Sequence, residues 1–292
     1  MKITELFERG EFVVSAEVGP PKGIHVEHLL EEAKTYLSGI TAVNVTDNQS
    51  SVMRLGSLAM CKALKDEGLT PIYQLTCRDR NRIALQSDLL SAAMLGIENL
   101  LLLTGDHTKM GDHPQAKPVF DLDSVSLIHT VRKLEEGEDL GGNKLVGEPP
   151  KFAKGAVVSP CSDSVDVQLA KMERKVRAGA DYFQTQAVFE PEKFIKFMEK
   201  AKQFGKPVQV GIIIPKSAGM ARFMNNNVAG IHVPDEMIDE LKRDKEKTKA
   251  GITGVEIAAR IIKECKPYCQ GVHIMALGWE SKVPDLLKLA GI

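Results

Sequence analysis

The chain of 292 residues lacks several features that mark common classes of protein. Its 38 basic and 39 acidic side chains nearly cancel, and aromatic residues make up only 5% of the sequence. A nucleic-acid-binding protein usually carries a basic stripe, so nucleic acid is not an expected partner. The sequence has no apolar run long enough to span a membrane, and its N-terminus has no signal-peptide core. We therefore expect no membrane association and a cytoplasmic location.

The five cysteines show no disulfide framework. They are scattered and odd in number, which favours reduced thiols. Cys265 and Cys269 are separated by three residues with no second pair nearby, which is a weak metal signal. The preferred interpretation is a helix that ends near Cys265 and is stopped by Pro267. No metal site is predicted.

What the chain does contain is a regular alternation of strand-like and helix-like segments. Short apolar runs typical of buried strands occupy residues 12–18, 40–46, 71–77, 99–104, 155–159, 182–186, 207–214 and 271–277. Helical patterns occupy about 25–38, 52–67, 81–95, 123–135, 164–178, 191–204 and 281–290, and two or three helices are expected within 217–265.

Eight strands, each followed by a helix, predict an α/β protein with a single (β/α)8 TIM-type barrel domain over residues 1–292. The alternative is an open doubly wound sheet. Such a sheet usually carries a Gly-x-Gly-x-x-Gly turn after an early strand, and none is present.

Two carboxylates follow predicted strands at positions where a barrel places its active site. Glu17 lies at the end of the first strand, just before Gly19-Pro20-Pro21, and proline cannot continue a ladder because it lacks an N–H group. Asp106 follows the fourth strand and opens a long loop that extends to about residue 120. Neither residue precedes the start of a predicted helix, so a helix-capping role does not explain the position of either carboxylate. We predict that they face the barrel mouth and perform general acid/base work.

Other polar residues near strand ends have simpler interpretations. Asp47, Asn48 and Asp163 stand where helix N-caps are common, and we interpret them as caps. His107 and His113 lie in the long loop with a spacing that matches no strong metal pattern, and we interpret them as solvated side chains.

Five segments, in order and spacing, resemble the methylenetetrahydrofolate reductase family. They are residues 15–21 with the glutamate and proline pair, 43–46, 74–77, 103–106, and 174–180 leading to Thr185-Gln186. Residues 215–223, followed by Val233-Pro234, are similar to the folate-side segment of the family. The resemblance covers nearly the whole chain, and without a C-terminal regulatory extension it implies the short bacterial form. It implies a flavin enzyme that reduces 5,10-methylenetetrahydrofolate to 5-methyltetrahydrofolate, in one-carbon metabolism serving methionine biosynthesis.

The resemblance also implies roles for individual residues. Glu17 would be the general acid that assists opening of the folate imidazolidine ring, giving an iminium that accepts hydride from the reduced flavin. Gln186 would contact the folate, and Phe223 would pack on its aromatic ring, with core packing as the alternative for Phe223. The implied flavin contacts are Thr46, Asp47, Gln74, Thr104, Gly105, Asp106 and Lys175, of which the lysine suits a phosphate oxygen.

Several positions depart from the family pattern. Gln74 stands where a histidine is frequent, Gln168 where an acid is usual, and Trp279 where an arginine is common. The segment 159–163 is short and lacks the usual histidine. We expect FAD, with FMN as the alternative cofactor. The expected electron source is NAD(P)H or, as in some members with such departures, a reduced partner protein.

Two other functional classes remain open at this point. One is a pterin-binding methyltransferase barrel of one-carbon metabolism, which would not carry out a reduction. The other is a non-catalytic barrel subunit that docks a redox partner, although the joint presence of Glu17, Asp106 and Gln186 argues against it. We expect the chain to form a homo-oligomer.

Overall fold

The alternating segments build a closed parallel barrel in the computed structural model, which describes residues 1–228, 230–247 and 252–292. Each strand pairs with the next along the chain, and the last strand closes on the first. The strands are β1 Val13–Val18, β2 Ala42–Val45, β3 Pro71–Thr76, β4 Asn99–Leu103, β5 Ala153–Val158, β6 Tyr182–Ala187, β7 Val208–Ile213 and β8 Gly271–Met275. The predicted (β/α)8 TIM-type barrel is confirmed.

Helices cover the outside of the barrel, where the apolar outward faces of the strands need a partner. Within the described residues they are α1 Ile3–Glu8, α2 Glu27–Leu37, α3 Ser57–Asp66, α4 Arg82–Met94, α5 Ser124–Glu135, α6 Val165–Ala178, α7 Pro191–Ala201, α8 Ala218–Asn227, α9 Asp235–Lys247, α10 Ile252–Cys265 and α11 Val283–Ala290. No helix of the described ranges is long and apolar enough to cross a membrane.

Three of these helices fall within the predicted helical stretch 217–265, of which residues 229 and 248–251 lie outside the described residues. The predicted end near Cys265 is confirmed, since α10 stops there and a 3-10 turn containing Pro267 follows. The helix predicted over 191–204 ends earlier, at Ala201, and continues as a 3-10 turn.

The helix predicted from about residue 52 begins five residues later than expected, at Ser57. Ser50 and Ser51 adopt positive φ angles of 56° and 60°, which an α-helix does not allow. The backbone N–H of Arg54 donates to Asn48 Oδ1 at 2.9 Å, which holds this stretch as a loop. The helical spacing of the apolar residues could not reveal this, because the competing bond comes from a side chain.

The barrel interior changes character along its axis. At the base the inward side chains are apolar, and Ile3 and Leu6 of α1 pack against them and close that end. In the middle lies a buried polar layer joined by hydrogen bonds, formed by Ser15, Asn44, Gln184, Gln209 and His273. The opposite end, where the strands finish, is open and lined by polar residues. The open end is therefore the place to look for a site.

Candidate functional site

The carboxyl ends of the strands surround a cavity of about 440 Å³. Nine of the ten residues predicted for the site line it, namely Glu17, Thr46, Asp47, Gln74, Thr104, Gly105, Asp106, Lys175 and Gln186. The exception is Phe223, which lies on α8, is 62% exposed and is not part of the cavity wall. The interpretation of Phe223 as a core residue is therefore wrong.

Glu17 is held from several sides at the end of β1. The side chain is only 9% exposed. Gln49 Nε2 donates to its Oε1 at 2.9 Å, and Gln74 Nε2 donates to its Oε2 at 3.4 Å. His273 Nε2, on the adjacent strand β8, lies 3.6 Å from the same Oε2. Glu17 and Gln49 also line a second cavity between α2 and the loop after β8, so the carboxyl group stands between two spaces.

Asp47 forms a buried ion pair and does not cap a helix. Its carboxylate accepts hydrogen bonds from Thr76 N and Thr76 Oγ1 at 2.9 and 2.8 Å, and from Arg80 Nη1 at 2.8 Å. Asn48 and Asp163 form no cap bond either, since the segments after them begin without side-chain caps. The cap interpretation of these three residues is wrong, because Asp47 and Asn48 precede a loop and the helix N-cap near Asp163 is Ser164.

Asp106 differs from Glu17 in its surroundings. Its side chain is exposed. Among the described residues, the backbone carbonyl oxygen of Asp106 accepts a hydrogen bond from Arg78 Nη1 at 3.4 Å. The preceding Gly105 has φ +91°, and a Cβ atom there would lie 3.1 Å from Thr76 Cβ. Glycine is thus required both by the backbone conformation and by the close approach to β3.

Two lysines of α6 reach the cavity on the side of β5. Lys175 Nζ donates to the carbonyl oxygen of Val157 at 2.6 Å. Burial, and after it the charge of Lys171, lowers the pKa of Lys175 to about 8. Gln168 stands one turn before Lys171 and lines the same wall. This wall offers cationic and amide donors of the kind that bind phosphate oxygens.

The polar groups of the cavity wall fit a flavin. Thr46 Oγ1 is buried there without a hydrogen-bond partner among the described residues, although most buried polar atoms have one. Gly105 presents bare backbone to the cavity, which allows close approach of a flat ring. The two lysines add a place for phosphate. These residues fit a dinucleotide or mononucleotide flavin.

Trp279 lies beside the second cavity rather than in the first. It follows β8 in a loop where Leu277 has a φ of +54°. The Lys216 ammonium sits 5.3 Å from the centre of its ring, and burial lowers the pKa of Lys216. A cation therefore stands against the aromatic ring of Trp279.

Sequence reasoning missed several residues that line the main cavity, among them Gln49, Arg78, Lys171 and Met275. Gln49 lies in the loop after β2, and Lys171 is one turn before Lys175. Arg78 is only 2% exposed and comes from the charged run 78–80 directly after β3, a signal that could have been used. Met275 closes the cavity near His273. Loop residues such as Gln49 carry no periodic signal and could not have been found from spacing.

Comparison with protein families identified one match that spans the chain. The model described as methylenetetrahydrofolate reductase matches residues 2–291. Curated proteins gave no match to this sequence.

Several solved structures are similar over the whole chain. One is an uncharacterized protein from Clostridium thermocellum that binds two copies of 5-methyl-5,6,7,8-tetrahydrofolic acid. It has 14% identity and a TM-score of 0.70, and the match covers 99% of this chain and 98% of that one. Oxaloacetate acetylhydrolase in complex with oxalate has 13% identity and a TM-score of 0.55, with 100% and 87% covered. Phosphoenolpyruvate phosphomutase from Streptomyces platensis subsp. rosaceus has 10% identity and a TM-score of 0.52, with 98% and 84% covered. At these identities the likeness supports the fold alone.

Proposed function

Because the chain belongs to the methylenetetrahydrofolate reductase family, we propose that it reduces 5,10-methylenetetrahydrofolate to 5-methyltetrahydrofolate with a bound flavin. The observation that carries the proposal is the composition of one cavity. A buried carboxyl group, Glu17, shares that cavity with the unpaired hydroxyl of Thr46, the bare backbone of Gly105 and the α6 lysines. The folate-binding protein from Clostridium thermocellum, which has the same fold, is in keeping with a folate substrate.

Glu17 is the proposed general acid. Opening the imidazolidine ring requires an amine to leave, and protonation of its nitrogen makes that departure easier. The Glu17 carboxyl group is buried and faces the cavity, so it can give its proton to a folate nitrogen there. The carboxylate that remains is met by N–H donors from Gln49 and Gln74. These donors are in place before the reaction, which reduces the reorganisation that it needs.

Other residues have proposed binding roles. Thr46, Asp47, Gln74, Thr104, Gly105 and Asp106 would contact the flavin, and Lys175 with Lys171 would hold its phosphate. A bound flavin would supply the hydride for the folate one-carbon unit. Gln186 and Asp106, in the wall of the cavity, would bind the folate, and Phe223 would pack on the folate aromatic ring from α8. We propose FAD as the cofactor and NAD(P)H or a reduced partner protein as electron source, in a cytoplasmic homo-oligomer formed by single-domain subunits.

The first experiment identifies the cofactor. Freshly purified protein should be yellow, and denaturation should release a flavin whose mass distinguishes FAD from FMN. The flavin is then reduced anaerobically with dithionite, and 5,10-methylenetetrahydrofolate is added. Recovery of the oxidised flavin spectrum together with 5-methyltetrahydrofolate supports the proposal. A protein without flavin that transfers the methyl group of methyltetrahydrofolate to a thiol or corrinoid acceptor would instead favour the methyltransferase alternative.

A further inference from the structure

His273 stands directly below Glu17 and contacts the polar layer in the middle of the barrel. It is 4% exposed and pairs with Ser15 across the β1–β8 register. Its two ring nitrogens face different partners. Nε2 lies 3.6 Å from Glu17 Oε2, and Nδ1 lies 3.1 Å from Ser15 Oγ. The partner at Nδ1 decides which nitrogen of a neutral imidazole carries the hydrogen.

The polar layer fixes that hydrogen through Gln209. The Gln209 amide nitrogen faces two backbone carbonyl oxygens, of Val13 at 3.3 Å and Val272 at 3.2 Å. Turning the amide over would place its oxygen against both carbonyls, so the nitrogen must point inward. The same nitrogen lies 3.1 Å from Ser15 Oγ, and its two hydrogens are shared among the three acceptors.

Ser15 therefore has its hydrogen available for the histidine. Its oxygen accepts from Gln209 and faces a second amide nitrogen, Gln184 Nε2, at 3.3 Å. Amide nitrogens cannot accept a hydrogen bond, so the acceptor within reach of the Ser15 hydroxyl hydrogen is His273 Nδ1. With Nδ1 accepting, neutral His273 carries its hydrogen on Nε2. The nitrogen of that N–H group lies 3.6 Å from Glu17 Oε2, a contact longer than a hydrogen bond but close enough for the N–H dipole to act on the carboxyl group.

We propose that His273 is a positioning residue whose Nε2–H group stabilises the Glu17 carboxylate formed on proton delivery. The inference rests on the proposed function, because it assigns Glu17 the general-acid step. In that step the O–H bond of Glu17 breaks and an N–H bond forms on the substrate amine. His273 keeps its own proton, and no electrons are transferred. The positive end of the N–H dipole, whose nitrogen lies 3.6 Å from Oε2, favours the carboxylate over the neutral carboxyl group and so assists loss of the proton.

Neutral donors and one histidine surround the Glu17 carboxyl group. Gln49 and Gln74 donate to it, and in the described part of the chain it forms no ion pair with lysine or arginine. The charged groups that line the main cavity are Asp47, Arg78, Asp106, Lys171 and Lys175, and those that line the second are Glu32, Arg54 and Glu280. These groups remain in every variant below, so differences between variants report on His273.

The first test reads the tautomer directly. Two-bond ¹H–¹⁵N correlation spectra of flavin-free protein labelled at histidine, recorded at alkaline pH, should show the hydrogen of neutral His273 on Nε2. In Ser15→Ala the Nδ1 partner is lost, and the spectrum should move towards a mixture of tautomers. A hydrogen on Nδ1 in the wild-type protein would overturn the proposal.

The second test separates donation from packing. In flavin-free protein at one fixed pH, infrared difference spectra separate the carboxyl and carboxylate bands of Glu17, with Glu17→Gln identifying them. His273→Ala removes the N–H group and should move intensity from the carboxylate band to the carboxyl band. His273→Gln can place an amide N–H near the same oxygen and should restore most of the carboxylate intensity. An unchanged ratio of the two bands in His273→Ala, or an equal change in folded His273→Gln, would overturn the proposal.

The same pair of variants also gives a kinetic readout. With the flavin reduced in advance and the pH held constant, the rate of folate reduction should fall about tenfold in His273→Ala. It should fall less than threefold in His273→Gln. If the proposed function is wrong, the wild-type protein turns over no folate. The tautomer and the carboxyl bands can still be measured in that case, because neither needs flavin or folate.

Discussion

The two sides of the cavity are built in different ways. The β1–β8 side consists of Glu17, Gln49, Gln74 and His273, and its carboxyl group is 9% exposed and surrounded by donors. The β4–β5 side consists of Gly105, Asp106, Lys171 and Lys175, and its carboxyl group is exposed on a loop. The first side is organised before a ligand arrives. The second offers charges whose partners would come with the ligand.

This difference indicates a division of labour. A proton donor must be held close to its target with its pKa set by fixed neighbours, and only the β1–β8 side provides that among the described residues. A binding group can stay solvated until the ligand displaces water, as the side chain of Asp106 does. Two carboxylates that look equivalent in the sequence are therefore expected to differ in the size and kind of their mutational effects.

The largest effect is expected for Glu17→Gln. The amide fills the same space but cannot deliver a proton, so folate reduction should fall by about 10² to 10⁴-fold. Reduction of the flavin by dithionite should be unaffected. The measurement is anaerobic stopped-flow of each half-reaction. Gln49→Ala is the graded comparison, because it removes one donor to the Glu17 carboxylate but leaves the acid in place, and its loss of folate reduction should be much smaller. Near wild-type folate turnover in Glu17→Gln would show that Glu17 is not the general acid.

Gly105→Ala should have the next largest effect, on flavin affinity. The residue has φ +91°, and an added Cβ would lie 3.1 Å from Thr76 Cβ, so the loop that carries Asp106 must shift. A non-glycine residue in this conformation costs about 1 to 2 kcal/mol. We expect flavin affinity to fall about tenfold, as measured by fluorescence titration of flavin-free protein. Gly142→Ala is the control, since it also has positive φ but has open space around it. Equal flavin affinity in the two variants would contradict the close-approach argument.

Asp106→Asn should have a smaller effect. An exposed carboxylate contributes up to about 1 kcal/mol, which corresponds to roughly fivefold in binding or rate. The loss should appear mainly in the KM for folate, whereas Glu17→Gln should act on kcat. Steady-state kinetics of the two variants provides the comparison. A drop in kcat as large as that of Glu17→Gln would mean that both sides of the cavity share the proton chemistry.

The sequence was sufficient to predict the barrel and most of the cavity wall. Apolar strand runs and their regular spacing identify the eight strands, and strand ends in a barrel converge on one face, which located Glu17 and Gly105. The sequence could not predict that Asp47 pairs with Arg80, because that contact joins two loops. The polar layer below Glu17 could not be predicted for a similar reason. Ser15 and Gln209 are 194 residues apart and meet only when the barrel closes.

The smallest predicted effect concerns the pKa of Lys175, which burial lowers to about 8 from an ordinary value of 10.5. Between these values the unfolded chain binds more protons than the folded one, so flavin-free protein should gain stability as pH rises through this range, by about 1 to 3 kcal/mol. Lys175→Met should be more stable than wild type at pH 7, and this advantage should shrink by pH 10. Urea denaturation at the two pH values measures it.

Flavin affinity should change in the opposite direction, because the neutral amine above pH 8 attracts a phosphate less strongly. Lys171→Met is the matched comparison. It removes one proposed phosphate partner, so affinity should be lower at every pH, and it should raise the pKa of Lys175, which moves the further loss of affinity to higher pH. A flavin affinity that is independent of pH from 7 to 9 in the wild type would place the phosphate elsewhere. The β4–β5 side would then be left with Asp106 and the backbone of Gly105 as its binding groups.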